Sequence, residues 1–136
     1  MTLLLEESQR LLRLALRDQE TFTLLLPLPK ASLAALGFLA QQTVEKALKS
    51  VAVLHSVEIR RTHDLAALAQ QLRDKGVEPP VVIDELRRLN PFAVEYRYDD
   101  DIVPTMVQEE IVAILAAMIP WARQQAAEEI VRQGGK

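Results

Sequence analysis

Gln41-Gln42-Thr43-Val44-Glu45-Lys46-Ala47-Leu48-Lys49 forms the centre of a stretch, Lys30 to Val57, whose reading decides the fold. At 3.6 residues per turn each step rotates about 100°, so Glu45, Lys46 and Lys49 fall within roughly 60° of Gln42. Leu33, Leu36, Ala40, Val44, Ala47, Leu48 and Val51 occupy the opposite side as a broad apolar stripe. Phe38, Leu39 and Val53 flank the polar patch as well. A helix apolar nearly all round is a central element, so its charged groups need partners or a ligand.

The totals agree with a compact helical protein. The chain has 136 residues, 49% of them hydrophobic, with only 4 glycines. Aromatics make up 4%, so the core has to be built from Leu, Ala, Val and Ile. A net charge of −3 argues against a general electrostatic binder of nucleic acid. Cysteine is absent, which excludes disulfides, thiolate metal sites and cysteine nucleophiles. Met1 to Glu7 lacks a basic start and a cleavage pattern, and no run of 18 apolar residues occurs. The expectation is a cytoplasmic protein with no membrane contact.

Outward from the central helix the pattern stays helical. A first helix is predicted over Leu3 to about Leu26, with Leu4, Leu11, Leu12, Ala15, Gln19 and Phe22 inward, ended by Pro27-Leu28-Pro29. A third starts at Thr62-His63-Asp64, with Thr62 or Asp64 as N-cap, buries Leu65, Leu68, Ala69 and Leu72, and stops at Lys75-Gly76. A fourth, Val81 to Leu89, precedes Asn90-Pro91, and Phe92 to Tyr98 reads as a short resumed turn. The last begins near Thr105, where Thr105 to Gln108 matches a capping box. It buries Val107, Ile111, Ile114, Leu115, Met118 and Ala122, with a kink expected at Pro120 and a frayed tail over 132–136. The predicted class is all-α: one domain over 1–136, an up-and-down four-helix bundle with an additional short helix.

Three clusters could carry chemistry. On the central helix, Lys46 and Lys49 could present cations to a phosphate, or Glu45 could simply pair with one of them. At Arg60-Arg61-Thr62-His63-Asp64, two arginines and a histidine adjoin a helix N-terminus, which favours an anion unless Asp64 or Thr62 merely caps. In Glu95-Tyr96-Arg97-Tyr98, an arginine between two tyrosines could grip a phosphate or pair with Glu45. Asp99 to Asp101 reads as a solvated loop rather than a magnesium site. With only His55 and His63 and no cysteine, no zinc site and no other metal site is expected. Neither a serine elbow nor a glycine-rich phosphate loop is present.

The three blocks Gln41 to Lys49, Thr62-His63-Asp64-Leu65 and Glu95-Tyr96-Arg97-Tyr98, in that order, resemble the signature blocks of the prokaryotic HEPN (higher eukaryotes and prokaryotes nucleotide-binding) domain. The resemblance covers nearly the whole chain. It implies a helical bundle, usually a homodimer or higher homo-oligomer, often paired with a minimal nucleotidyltransferase in a toxin–antitoxin-like system. Many such domains are ribonucleases with an arginine, four to six residues, then a histidine. Here the positions five to seven residues before His63 are Ser56, Val57 and Glu58, and those before His55 are Leu48, Lys49 and Ser50, so that motif is missing.

The resemblance therefore implies a non-catalytic module that binds a nucleotide or the nucleotidyltransferase and needs no cofactor. Lys46, Lys49, His63, Arg97 and Tyr98 are its expected nucleotide- or anion-binding residues, with Gln42, Glu45 and Asp64 as orienting groups. Two alternatives stand beside it. One is a variant ribonuclease acting on RNA through Arg61, His63 and Arg97. The other is an interaction scaffold in which these residues form an inter-helix salt-bridge network.

Overall fold

The computed structural model describes residues 2–59, 61–93 and 106–134. Among them it is all-helical, with α1 Leu3–Leu25, α2 Leu33–Leu54, α3 Leu65–Asp74, α4 Ile83–Leu89 and α5 Gln108–Gly134, and one 3₁₀ turn at Asn90–Ala93 between α4 and α5. The bundle class is as expected, with α4 as the additional short helix. None of the described helices is long and apolar enough to cross a membrane.

α2 is the hub. Its side chains are buried on every face: Leu36, Ala40, Val44, Ala47, Leu48 and Val51 on the apolar stripe, and also Gln41, Thr43, Glu45 and Ser50. It packs on α1, α3, α4, α5 and the 3₁₀ turn. Leu65, Leu68 and Leu72 of α3, Leu86 and Leu89 of α4, and Ile111, Ile114, Leu115 and Met118 of α5 complete the core. Burial of this kind contributes about 1.5–3 kcal/mol for each large apolar side chain.

The α1–α2 contact is closer than the leucine count suggests. Ser8 meets Ser50 at this contact, and Ala15 of α1 and Ala47 of α2 are buried as they are. Ser8 Oγ donates to the Ser50 carbonyl at 2.8 Å, and Ser50 Oγ donates to the Ser8 carbonyl at 2.8 Å. Small side chains let two backbones approach until hydroxyls reach the opposing carbonyls. The buried line of α1 is accordingly Leu5, Ser8, Ala15 and Phe22, and Leu4, expected inward, is half exposed.

The helix ends follow from local chemistry. Ser32 caps α2 by accepting from the Ala35 amide at 3.0 Å. Gly76 ends α3 with φ 82, and the amides of Gly76 and Val77 return to the carbonyls of Arg73 and Leu72. The same paired return closes α2, where Ser56 and Val57 bond the carbonyls of Val53 and Ala52. There the left-handed position is held by Ser56 at φ 55, so α2 stops at Leu54 rather than reaching Val57. Buried Val57 anchors that turn on the core.

Three expectations for the last helix change. α5 starts at Gln108, not near Thr105, and its reciprocal cap is Glu110, whose carboxylate accepts from the Val107 amide at 2.9 Å. Val107 then lies outside the helix and is 55% exposed instead of buried. Pro120 lies inside α5, and its side chain is exposed. The helix also runs on through Arg132, which pairs with Glu129, as far as Gly134. Arg88 of α4 holds the first turn of α5 by a forked bond to both oxygens of Glu110, at 2.8 and 3.1 Å.

Phe92 in the 3₁₀ turn is fully buried against Gly37 of α2. A Cβ on Gly37 would overlap the Phe92 ring. Gly37→Ala therefore destabilises the fold by about 1–3 kcal/mol despite the better helix propensity of alanine. Urea denaturation of the two proteins checks this; an equal or higher midpoint for the variant contradicts the packing.

Candidate functional site

Glu45 sits in the middle of α2 with only 7% of its side chain exposed, and everything around it is arranged to hold its charge. Lys49, one turn further on, donates from Nζ to Oε2 at 2.9 Å. Gln41, one turn back, donates from Nε2 to Oε1 at 3.1 Å and to the His63 carbonyl at 3.1 Å. Gln42 in turn donates to Gln41 Oε1 at 2.9 Å, which fixes the amide's orientation. His63, from the segment ahead of α3, places Nδ1 at 2.9 and 3.0 Å from the two carboxylate oxygens.

A carboxylate only accepts, so Nδ1 carries the proton and donates. The His63 side chain is 76% exposed, and among the described residues Nε2 has no partner. The result is an imidazole bonded through one nitrogen to a buried carboxylate and open to solvent at the other. Burial pushes the Glu45 carboxyl up, but the bonds from Lys49, His63 and Gln41, with the charge of Lys49, outweigh it and hold it below its ordinary value of 4.5.

Among the described residues, Lys46 and Lys49 are held by different carboxylates. Lys46 leaves the cluster and pairs with Asp18 of α1, itself only 14% exposed. Lys49 is spent on Glu45. Arg61 is exposed. Arg97 and Tyr98, with Asp99 to Asp101, lie outside the described residues. Among the described residues no group of three His, Asp or Glu side chains could hold a metal ion.

The N-terminus of α3 is already filled, as in the capping alternative of its reading. Asp64, not Thr62, is the N-cap: its Oδ1 accepts from the amides of Ala66 and Ala67 at 3.0 and 3.2 Å. The Leu65 amide is taken by Asn90 Oδ1 at 2.9 Å, and Asn90 Nδ2 donates to Asp64 at 2.8 Å. Thr62 Oγ1 accepts from the Asp64 amide at 3.0 Å. The free amides that would attract a phosphate all have internal acceptors.

Three participants had no role in the sequence reading. Gln41 was hidden by its burial, because a glutamine beside Gln42 gives no sign of which one turns inward. Asp18 was legible: it lies three residues after Ala15 and four before Phe22, and an acid on a buried stripe requires a partner. Asn90 bridges to a cap 26 residues away, and no local pattern carries that.

A family model described as the HEPN domain matches residues 8–133. The chain belongs to the HEPN domain family. No curated protein and no solved structure matches it.

The lowered Glu45 fixes a sign for pH dependence. A carboxyl that binds its proton less readily folded than unfolded adds stability that is complete above its ordinary value of 4.5 and is lost as pH falls through the folded value. Glu45→Gln keeps the shape and leaves Lys49 without its anion, costing about 1–3 kcal/mol at pH 7. Chemical denaturation of both proteins from pH 7 to pH 3 checks this: the stability gap narrows below pH 4.5, and a constant gap contradicts it.

Proposed function

We propose that the chain acts as one HEPN binding module, non-catalytic by itself, that self-associates and pairs with a minimal nucleotidyltransferase in a toxin–antitoxin-like system. The observation that carries this reading is how the polar groups of α2 are used. Glu45, Lys49, Gln41 and His63 close on one another and Lys46 closes on Asp18, so these groups lock α1, α2 and the α3 entry into a rigid surface. Such a network supports a scaffold that presents surfaces, and it leaves little uncompensated positive charge in the cluster.

A nucleotide remains part of the proposal, at the face where Arg61 and the open edge of His63 meet solvent, with Arg97 and Tyr98 as further candidates. Lys46 and Lys49 act there as structural cations rather than as phosphate ligands. Isothermal titration with ATP and GTP tests the nucleotide part: millimolar affinity lost in His63→Ala supports it, and no heat at millimolar ligand removes it.

The second reading is a variant ribonuclease, and the Glu45–His63 contact favours it. A carboxylate fixing Nδ1–H leaves Nε2 as a proton acceptor, the arrangement a general base needs, and Arg61 would balance the phosphate charge. RNA cleavage by wild type and by His63→Ala separates the two readings. A loss of activity of at least about 100-fold in the variant establishes catalysis; equal residual activity in both excludes it.

A further inference from the structure

An open groove of about 430 Å³ runs between α1 and α5. α1 lines it with Gln9, Leu12, Arg13 and Leu16, and α5 with Arg123, Ala126, Ala127 and Ile130. Both walls advance by the same steps of three, one and three residues, which is one face of a helix repeated over two turns. Two such faces side by side form the seam into which a third helix sets its own side chains at every third or fourth position. Ala126 and Ala127 keep the floor low, so a third backbone can come close, and Ile130 is left 44% exposed. Apolar ground of this kind, rimmed by polar side chains, marks an interaction site.

The charges indicate what kind of helix fits. Arg13 and Arg123 stand one on each wall, both exposed, and among the described residues neither guanidinium has a partner. By contrast Arg10, Arg73, Arg87, Arg88 and Arg132 each hold a carboxylate. No Asp or Glu among the described residues lines the groove, so in a chain of net charge −3 this strip is locally positive. Glu6 and Glu20 lie seven residues to either side of Arg13, outside the groove and about 10 Å away along the axis. That is about one screening length in physiological salt, so they leave the middle of the groove basic and disfavour further acids only beyond it. A nucleic-acid strand would set its charged backbone over Leu12, Leu16 and Ile130. An amphipathic helix meets that floor with apolar side chains and the rims with carboxylates.

We infer that the groove is a docking site for an amphipathic helix of a partner protein, one that carries an apolar stripe at helical spacing and carboxylates beside that stripe in its central turns. The stripe lies on Leu12, Leu16, Ala126 and Ala127, with one carboxylate toward Arg13 and another toward Arg123. Opposite charges on both rims fix the register and select against a basic helix, which would set like charges together. The groove shares no residue with the face of Arg61 and His63 proposed for a nucleotide, and it does not depend on self-association, so either reading can fail without the other.

Fluorescence anisotropy with two synthetic peptides of about 20 residues, long enough to hold a helix on binding, tests this. Both carry the same stripe of Leu and Ala; one has Glu and the other Lys beside that stripe in the central turns. The full chain is expected to bind the Glu peptide at least about tenfold more tightly than the Lys peptide. Arg13→Glu with Arg123→Glu is expected to reverse that order. Ala127→Trp, which fills the floor at an exposed position, is expected to weaken the Glu peptide at least about tenfold. Circular dichroism on each variant establishes that it is folded. No binding of the Glu peptide at millimolar concentration, equal binding of the two peptides, or an affinity unmoved by Ala127→Trp or by the double reversal overturns the inference. Sedimentation velocity separates out a second copy of this chain: a wild-type dimer that Ala127→Trp disperses shows that the chain covers its own groove, which overturns the inference as well.

Discussion

A carboxylate buried in the hub helix is the constraint on which the rest of the structure depends. Glu45 cannot stay ionised inside an apolar bundle without compensation. Its compensation comes from Lys49 and Gln41 on either side along α2 and from His63 across a gap of 18 residues. That last bond ties the entry of α3 to α2. Gln41 doubles the tie by holding the His63 carbonyl as well. The backbone that follows is then set for Asp64 to cap α3, and Asn90 brings the end of α4 onto the same cap. One buried charge therefore determines how two short helices, too short to be stable alone, are seated on the long ones.

This arrangement also explains why cations grouped on a helical wheel did not gather at one place. Gln42, Glu45, Lys46 and Lys49 share a face, but that face straddles two contacts. Lys46 leans towards α1 and Asp18, while Lys49 leans back towards Glu45. A helical wheel reports direction around the axis and not which neighbour lies there. Each lysine pairs with a carboxylate largely shielded from solvent, where the demand for a counter-charge is stronger.

Much of the fold was legible because it rests on period and punctuation. The apolar stripe of α2, the Leu65–Leu72 stripe and the Lys75-Gly76 stop all lie where spacing and turn chemistry place them. The misplacements have local causes. Ser56 ends α2 in a left-handed conformation that glycine would have announced. Leu4 yields to Ser8 because small residues set the closest line of approach between α1 and α2. Thr105 matched a cap pattern, but Glu110 supplied the reciprocal bond three residues into a later start. Within the candidate site, Glu45, His63 and Asp64 could be named from sequence, whereas Gln41 and Asn90 act through tertiary contacts that no local spacing encodes.

The two sides of the bundle thus differ in kind. Around Glu45 the described side chains of Gln41, Lys49 and His63 are committed to it, with the outer edge of His63 open to solvent. Along α1 and α5 the opposite holds: Arg13, Glu6 and Glu20 are uncommitted beside half-buried leucines and an exposed isoleucine. Satisfied buried polar groups make a surface rigid, and unsatisfied exposed charges beside apolar ground make one selective, since wrong pairings juxtapose like charges. A committed side and an uncommitted one together support the proposed reading as a binding module. Among the described residues of the Glu45 cluster, the His63 ring presents its outer nitrogen to solvent while its inner one stays on Glu45.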